Sequence, residues 1–458
     1  MNSISHEIFK AYDIRGIVAT ALTPAAVELI GQAIGSEARA RKLGTIAIGR
    51  DGRLSGPTLT QALTNGIRKS GVDVIDIGMV ATPMLYFAAY ELCDYSGVMV
   101  TGSHNPPEYN GLKMVLGGET LAAEAIQALR HRIEKQDFTL GQGSYRQQEI
   151  GERYLLRITS DIKLARPVKL VVDCGNGVAG AFAPELYRRL GCEVTELFCE
   201  VDGTFPNHHP DPSVPENLRD VIHALETTDA DIGFAFDGDG DRLGVVTKDG
   251  RIIYADRQLM LFAADVLSRN PGGQIIFDVK CTRNLAPWIE DHGGVPVMWK
   301  TGHSFIKAKL KETGALLAGE MSGHIFFKER WYGFDDGLYA GARLLELLSK
   351  EKDLGATLNA LPDSLNTPEL QIRLAEGENH TLIAQLQREA SFPNADRVIT
   401  IDGLRVEYPD GFGLIRASNT TPVAVLRFEA KDEAALKRIQ QDLRQCILQV
   451  KPDAVLPF

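Results

Sequence analysis

Three aspartates interleaved with glycine, Asp237, Asp239 and Asp241 in the run DGDGDR, directly follow the apolar stretch IGFAF. Three carboxylates a few ångströms apart repel by several kcal/mol even at an effective dielectric of about 20, and a divalent cation removes that repulsion. Hard oxygen donors suit Mg²⁺, which favours carboxylates together with a substrate phosphate. An EF-hand is excluded, because its sixth position would be Arg242 instead of Gly and its twelfth Lys248 instead of Glu. A solvated acidic turn is the plainer reading of the same residues.

A second junction, VMVTGSHNPP, sets Ser103 and His104 at the mouth of a strand and stiffens the exit with Pro106 and Pro107. It lacks the G-x-S-x-G of a serine hydrolase. A turn serine is the ordinary reading. A nucleophile or phosphate carrier on a rigid loop is the functional one, since the hydroxyl then needs no ordering at the moment of reaction. Lys113 follows at the start of the next strand. GEMSGH offers Glu320, Ser322 and His324, a carboxylate and a hydroxyl spaced to take adjacent sugar hydroxyls. RASNTTP follows the strand GFGLI with Arg416, Ser418, Asn419 and Thr420. A guanidinium fork, hydroxyls and backbone N–H groups suit phosphate oxygens. GNGVAG, at 175–180, matches a dinucleotide fingerprint after a strand and leaves a nicotinamide-dependent oxidoreductase open.

These loops need a scaffold, and the chain repeats one. TIAIGRDGR (45–53), KLVVDCGNG (169–177) and QIIFDVKCT (274–282) are apolar strands, each followed by a helical segment. Leu59, Leu63 and Ile67 mark one helix face after the first. Beyond each lies one of the junctions SGVMVTGSHN, DIGFAFDGDGD and GALLAGEMSGH. Three α/β units of one plan are expected, each presenting a loop at a strand end, where open α/β sheets place ligands. From about 364 the texture changes to the strands ELQIRL, VITIDGLRVEY, GFGLIRAS and PVAVLRFEA around two helices, a smaller α+β unit. Leu436, Ile439 and Leu443 line the second of those helices.

With 458 residues, 44% hydrophobic and 24% charged, the chain reads as a multidomain globular protein. Its 49 basic and 60 acidic residues give a net charge of −11, which argues against a nucleic-acid or anionic-membrane partner. No apolar run approaches the ~18 residues of a membrane span. The N-terminal MNSISHEIFKAYDIRG has no signal-peptide core, and the six cysteines show no C-x-x-C pairing, so a cytoplasmic protein with reduced thiols is expected.

Taken together, TGSHNP, DGDGDR, GEMSGH and RASNT, in this order, resemble the α-D-phosphohexomutase family, as do FKAYDIRG, VDGTFPNHHPDP, DVKCTR, WKTGHS and FFKERWYGFDDG. The resemblance implies three similar α/β domains plus a C-terminal α+β domain around a central cleft, with expected bounds 1–150, 151–251, 252–363 and 364–458. It implies phosphoryl transfer between C6 and C1 of mannose and glucose phosphates, through a phosphoserine and a hexose 1,6-bisphosphate, supplying exopolysaccharide and lipopolysaccharide precursors. Ser103 would carry the phosphate, and Asp237, Asp239 and Asp241 would hold Mg²⁺ with it. Glu320 and Ser322 would recognise sugar hydroxyls, and Arg416, Ser418, Asn419 and Thr420 the distal phosphate. Tyr12, Lys280 and His303 would complete the substrate contacts. Lys113 and His324 are the expected acid–base pair, with Arg15, His104 and His303 in support, and Arg15, Lys113 and Arg242 would add positive charge beside the phosphoserine. Lys113 is expected among cations, where burial lets it shed its proton near neutral pH. A monomer acting on free sugar phosphates is expected. The remaining rivals are another sugar preference within the family, glucosamine phosphate or glucose phosphate alone, and a sugar-phosphate-binding protein without catalysis, which leaves the DGDGD cluster unexplained.

Overall fold

One four-strand order recurs three times in the computed structural model, which describes residues 4–375, 377–419 and 421–458. In the first unit β1 (Thr45–Arg50) lies parallel to β2 (Asp73–Met79) on one side and to β3 (Gly97–Val100) on the other. β3 then turns back antiparallel into β4 (Tyr109–Leu116). The second unit repeats this with β5 (Lys169–Asp173), β6 (Glu193–Leu197), β7 (Ile232–Phe236) and β8 (Leu243–Thr247). The third uses β9 (Gln274–Asp278), β10 (Val295–Trp299), β11 (Leu317–Gly319) and β12 (Ile325–Phe327). The expected repeat is therefore real, and its logic is positional. In every unit the loop with chemistry is the connection between the third and fourth strands. Ile14–Ile17 adds an edge strand to the first sheet, placing Arg15 opposite Gly111 of β4.

The strands read as continuous apolar runs because helices cover both faces of parallel sheets. β3 and β7 are buried at every position. After β1, the helix Gly56–Lys69 buries Leu59, Leu63 and Ile67, as their spacing predicts.

The C-terminal sheet is antiparallel, with β13 (Leu370–Arg373) on one flank and then β17 (Val423–Ala430), β16 (Gly411–Ala417), β15 (Leu404–Tyr408) and β14 (Arg397–Ile399) in spatial order. VITIDGLRVEY, read as one strand from sequence, is two. The chain turns between β14 and β15, and Gly403 at φ 82° accommodates a conformation that L side chains avoid. The helix Glu433–Val450 buries Ile439 and Leu443 against this sheet and leaves Leu436 half-buried.

Two cores dominate. The largest apolar cluster runs from Ala47 to Leu361 and takes side chains from all three α/β units, among them Met84, Met99, Tyr154, Phe234 and Phe277. The C-terminal unit has its own core, from Ile372 to Ile447. No helix among the described residues is long and apolar enough to cross a membrane.

Candidate active site

Four hairpin loops converge on one cleft of about 580 Å³. The loop between β3 and β4 brings Ser103 and His104, the second unit Arg242, the third Glu320, Ser322 and His324, and the C-terminal unit Arg416, Ser418 and Asn419. Tyr12, Arg15, Lys113, Lys280 and His303 line the same space. Of the residues expected from sequence, Thr420 lies outside the described residues. Arg416 sits within β16, as the strand reading of GFGLIRAS expects, and Ser418 and Asn419 follow directly after the strand.

Ser103 is buried and held at φ 50°, a left-handed conformation that costs about 1 kcal/mol for a residue with a Cβ. Its neighbours stabilise it there. Ser103 N donates to Thr101 Oγ1 at 2.8 Å, and Thr101 Oγ1 to Asp51 Oδ2 at 2.7 Å. The fully buried Arg53 donates to the carbonyls of Ser103 (2.8 Å), Asn105 (2.5 Å), Pro106 (2.6 Å) and Tyr109 (3.0 Å). Sequence reading missed this cradle. Its signal was the GRDGR end of β1, which looked like a turn. Ser103 Oγ then lies 3.1 Å from Asp237 Oδ2 and 3.3 Å from His104 Nδ1. A Cβ on Gly238 would stand 2.4 Å from Ser103 O, so this approach of the two loops requires glycine.

Asp237, Asp239 and Asp241 are fully buried, and one carboxylate oxygen from each falls within 4.8 Å of the others. Burial, then the charges of Asp241 and Asp239, push the Asp237 carboxyl well above the usual range. Asp239 Oδ1 accepts no hydrogen bond among the described residues, and Asp241 Oδ1 faces His324 Nε2 at 3.2 Å. Buried, mutually repelling carboxylates with an unpartnered oxygen fit a hard divalent cation. Thr82, a contact not anticipated from sequence, donates its hydroxyl to Asp239 Oδ2 at 2.5 Å and its N–H to Asp239 O at 2.9 Å.

Lys113 corrects an expectation. Its Nζ does not sit among cations but donates to Asp239 Oδ2 at 2.7 Å and to Asp241 Oδ2. Burial pulls its pKa down, yet the facing carboxylates outweigh burial and raise it. Lys113 in this arrangement is a held cation, not a proton acceptor. His324 behaves alike. Burial opposes its charge, but Asp241 Oδ1 at 3.2 Å and Glu320 Oε2, 3.0 Å from Nδ1, raise it to about 9. The other two histidines go the opposite way. Burial and Arg242 hold His104 well below the ordinary value, and burial with Lys307 and Lys113 does the same to His303.

The His324 shift has a sign that can be measured. A folded pKa of about 9 against an unfolded value near ~6.5 gives stabilisation fully present below pH ~6.5 and lost as pH rises through 9. In chelator, chemical unfolding of the wild-type protein is therefore expected to show stability falling across that window, and His324→Gln to flatten the fall. Parallel profiles for the two proteins would remove His324 as the source.

At the far side of the cleft Arg416 Nε donates to Asp402 Oδ2 at 3.0 Å, while its Nη2 has no hydrogen-bond partner among the described residues. Asn419 Nδ2 donates to the Tyr12 hydroxyl, which donates to Thr301 O at 3.2 Å. Glu320 Oε1 accepts from Gly302 N at 2.5 Å. Lys280 Nζ meets Glu369 Oε2 at 3.1 Å. Arg15 pairs with Asp13 and Asn105 beside the serine loop. The arrangement offers an anion subsite at each end, with hydroxyl-binding groups between.

The dinucleotide fingerprint fails on space. At GNGVAG the chain forms a short 3-10 turn, Val178–Ala181. A Cβ on Gly177 would meet Gly238 Cα at 2.9 Å, and one on Gly180 the carbonyl oxygen of Cys199 at 2.0 Å. These glycines admit neighbouring backbone where a pyrophosphate would have to lie.

Residues 6–140, 152–250, 254–365 and 369–445 match, in order, the family descriptions phosphoglucomutase/phosphomannomutase alpha/beta/alpha domain I, domain II, domain III and C-terminal domain. A phosphoglucomutase of Neisseria meningitidis serogroup A is 62% identical over 461 residues, covering 100% of both chains. A phosphomannomutase/phosphoglucomutase of Pseudomonas aeruginosa is 58% identical over 452 residues, covering 98% of this chain and 97% of that one. A crystal structure of a phosphoglucomutase/phosphomannomutase family protein from Burkholderia thailandensis matches with a TM-score of 0.95 at 61% identity, covering 99% of this chain and 100% of that one.

Proposed function

The chain belongs to the phosphoglucomutase/phosphomannomutase family, and on that premise we propose that it moves a phosphoryl group reversibly between C6 and C1 of mannose and glucose phosphates, with Ser103 as the carrier. The observation that supports this most is the convergence of Ser103, Arg242, Glu320 and Arg416, from four units, on one cleft, with the buried aspartate triad meeting Ser103 Oγ through Asp237.

A phosphate on Ser103 carries a charge near ~−2 beside three carboxylates. Asp237, Asp239 and Asp241, with Ser103, would hold Mg²⁺. When bound, that ion neutralises charge on the transferring group. Lys113, Arg15 and Arg242 add fixed positive charge around the same point. Arg416, with Ser418, Asn419 and Thr420, binds the phosphate that is not reacting, and its unpartnered Nη2 is the free arm of that fork. Glu320 and Ser322 orient the sugar, with Tyr12, Lys280 and His303 closing around it.

In the first half-reaction the bond from Ser103 Oγ to phosphorus breaks as a bond forms to the sugar's free hydroxyl oxygen, whose proton passes to a base in the cleft. The product is a hexose 1,6-bisphosphate. It turns around and returns its other phosphoryl group to Ser103 Oγ, and a proton comes back to the sugar oxygen. His303 and His104, kept neutral by burial and neighbouring cations, offer an unprotonated ring nitrogen to that proton, and their lowered pKa makes them weak bases that release it again readily. Lys113 and His324, held as cations, stabilise charge and can donate one. Rigid positioning is what phosphoryl transfer asks of a protein, and the Arg53 cradle supplies it. We place the protein in the cytoplasm as a monomer serving exopolysaccharide and lipopolysaccharide precursor synthesis.

Intact mass before and after incubation with Mg²⁺ and glucose 1,6-bisphosphate tests the carrier step. Gain or exchange of one phosphate is expected, with turnover on mannose and glucose 1-phosphates alongside. A protein that turns these sugars over without ever exchanging phosphate would overturn the phosphoserine route.

A further inference from the structure

Three consecutive backbone carbonyls of the third unit, those of Val279, Lys280 and Cys281, are taken by guanidinium groups of the C-terminal unit. Arg405 Nη1 donates to Val279 O at 2.6 Å and to Cys281 O at 2.7 Å. Arg427 Nη1 donates to the Lys280 carbonyl. Both arginines are buried, at 1% and 4% exposure.

The two are delivered by one surface. Register pairs Arg405 of β15 with Leu414 of β16, and Leu414 with Arg427 of β17. Directly opposed residues share a sheet face, so the two side chains flank Leu414 on one side of the sheet. The next row on that face is Glu407, Phe412 and Glu429. The Arg405 guanidinium lies 3.7 Å over the Phe412 ring, and its Nε donates to Glu407 Oε1 at 3.0 Å. Glu429 Oε1 accepts from Thr282 Oγ1 at 2.8 Å and Arg283 N at 3.2 Å, gripping the same turn one residue further on. Arg416 follows Leu414 by two residues on β16 and therefore stands on this face as well.

Lys280 is the central residue of the gripped turn, and its side chain lines the cleft. We infer that Arg405 is a positioning residue for Lys280: it holds the carbonyls on either side of that residue, so that the Lys280 ammonium and the Arg416 guanidinium meet the substrate in a spacing set by a single sheet face. The inference rests on the reading of Lys280 as a substrate contact. A guanidinium suits the task, because Nη1 donates to both carbonyls while Nε, on the other side of the same rigid plane, keeps Glu407 and the plane stacks on Phe412. Arg405 also borders a second cavity of about 720 Å³ between the two units, outside the catalytic cleft. Water entering from that side can solvate the carbonyls when the guanidinium is removed, which lets the turn relax without unfolding the domain.

A double-mutant cycle in the full-length protein tests this, with KM and kcat for glucose 1-phosphate and thermal melting read on Lys280→Met, Arg405→Met and the pair. Each single change is expected to raise KM about tenfold, the scale of one lost charge-assisted hydrogen bond, with kcat altered by less than about threefold. The double variant is expected to be no worse than Lys280→Met alone. Additive losses, on the order of a hundredfold, would mean that Arg405 acts independently of Lys280 and would overturn the inference. A silent Arg405→Met beside an affected Lys280→Met would overturn it while leaving the reading of Lys280 intact. A silent Lys280→Met would remove that reading and the inference with it. Should Arg405→Met melt too low to assay, Arg405→Lys takes its place on both backgrounds. An ammonium there cannot serve both carbonyls and Glu407 at once, and the same comparison decides.

Discussion

Ser103→Ala is expected to lose all phosphate uptake from glucose 1,6-bisphosphate and to lower turnover by about four orders of magnitude or more, the scale seen when a covalent nucleophile is removed. The loss should be chemical, not conformational. Ser103 Oγ contacts only Asp237 and His104 among the described side chains. The backbone at φ 50° is as costly for Ala as for Ser. Arg53 grips the loop through carbonyl oxygens that the substitution leaves in place. Melting within about 1 kcal/mol of wild type is therefore expected, because one modest hydrogen-bonding group is gone. Retained phosphate exchange in the variant would move the carrier to another residue and remove the premise of the cycle.

Lys113→Met separates charge holding from proton transfer. Lys113 is the cation that opposes Asp239 and Asp241 directly, and all three side chains are buried. Breaking a buried pair from one side leaves uncompensated charge and costs about 3–5 kcal/mol. In chelator the variant is thus expected to melt well below wild type, and added Mg²⁺ to recover more stability in the variant than in wild type, because the ion would relieve a repulsion that Lys113 otherwise relieves. Turnover in saturating Mg²⁺ is expected to fall about a hundred- to a thousandfold, with a smaller change in KM, as when a preorganised charge aimed at a developing anion is removed. Equal melting of the two proteins in chelator would contradict the bridging role, and unchanged turnover would take Lys113 out of the chemistry.

The site loops were legible in the sequence because each is a short contiguous run placed directly after an apolar strand. DGDGDR, TGSHNP and GEMSGH needed only local reading, and their recurrence at one position of a repeated unit made them mutually supporting. What stayed hidden depends on residues distant in the chain. Arg53 lies fifty positions before the serine loop that it grips, and Thr82 157 positions before the Asp239 that it caps. No periodicity reports such pairs. The protonation of Lys113 was misjudged for the same reason. Sequence gives the residue type, whereas the pKa follows from which charges the fold sets opposite it. VITIDGLRVEY was misread because apolar alternation continues through its turn, and Gly403 alone marks the reversal.

The apolar cores divide the chain differently from its topology. Four sheets suggest four modules, yet one cluster joins the first three; the first unit keeps a second core besides, Ile8 to Leu129, whereas the C-terminal unit has its main core to itself. Cooperative melting follows shared burial, not strand order. Scanning calorimetry should therefore resolve two heat-absorption peaks, a smaller one from the C-terminal unit and a larger one from the remainder. A polypeptide ending at residue 363 should retain the larger peak, and four separate transitions would refute that partition. Seen this way, the chain is a two-part machine, a massive anvil carrying Ser103 and a light hammer carrying Arg416. The repeated α/β unit is erased as a mechanical boundary while persisting as a pattern.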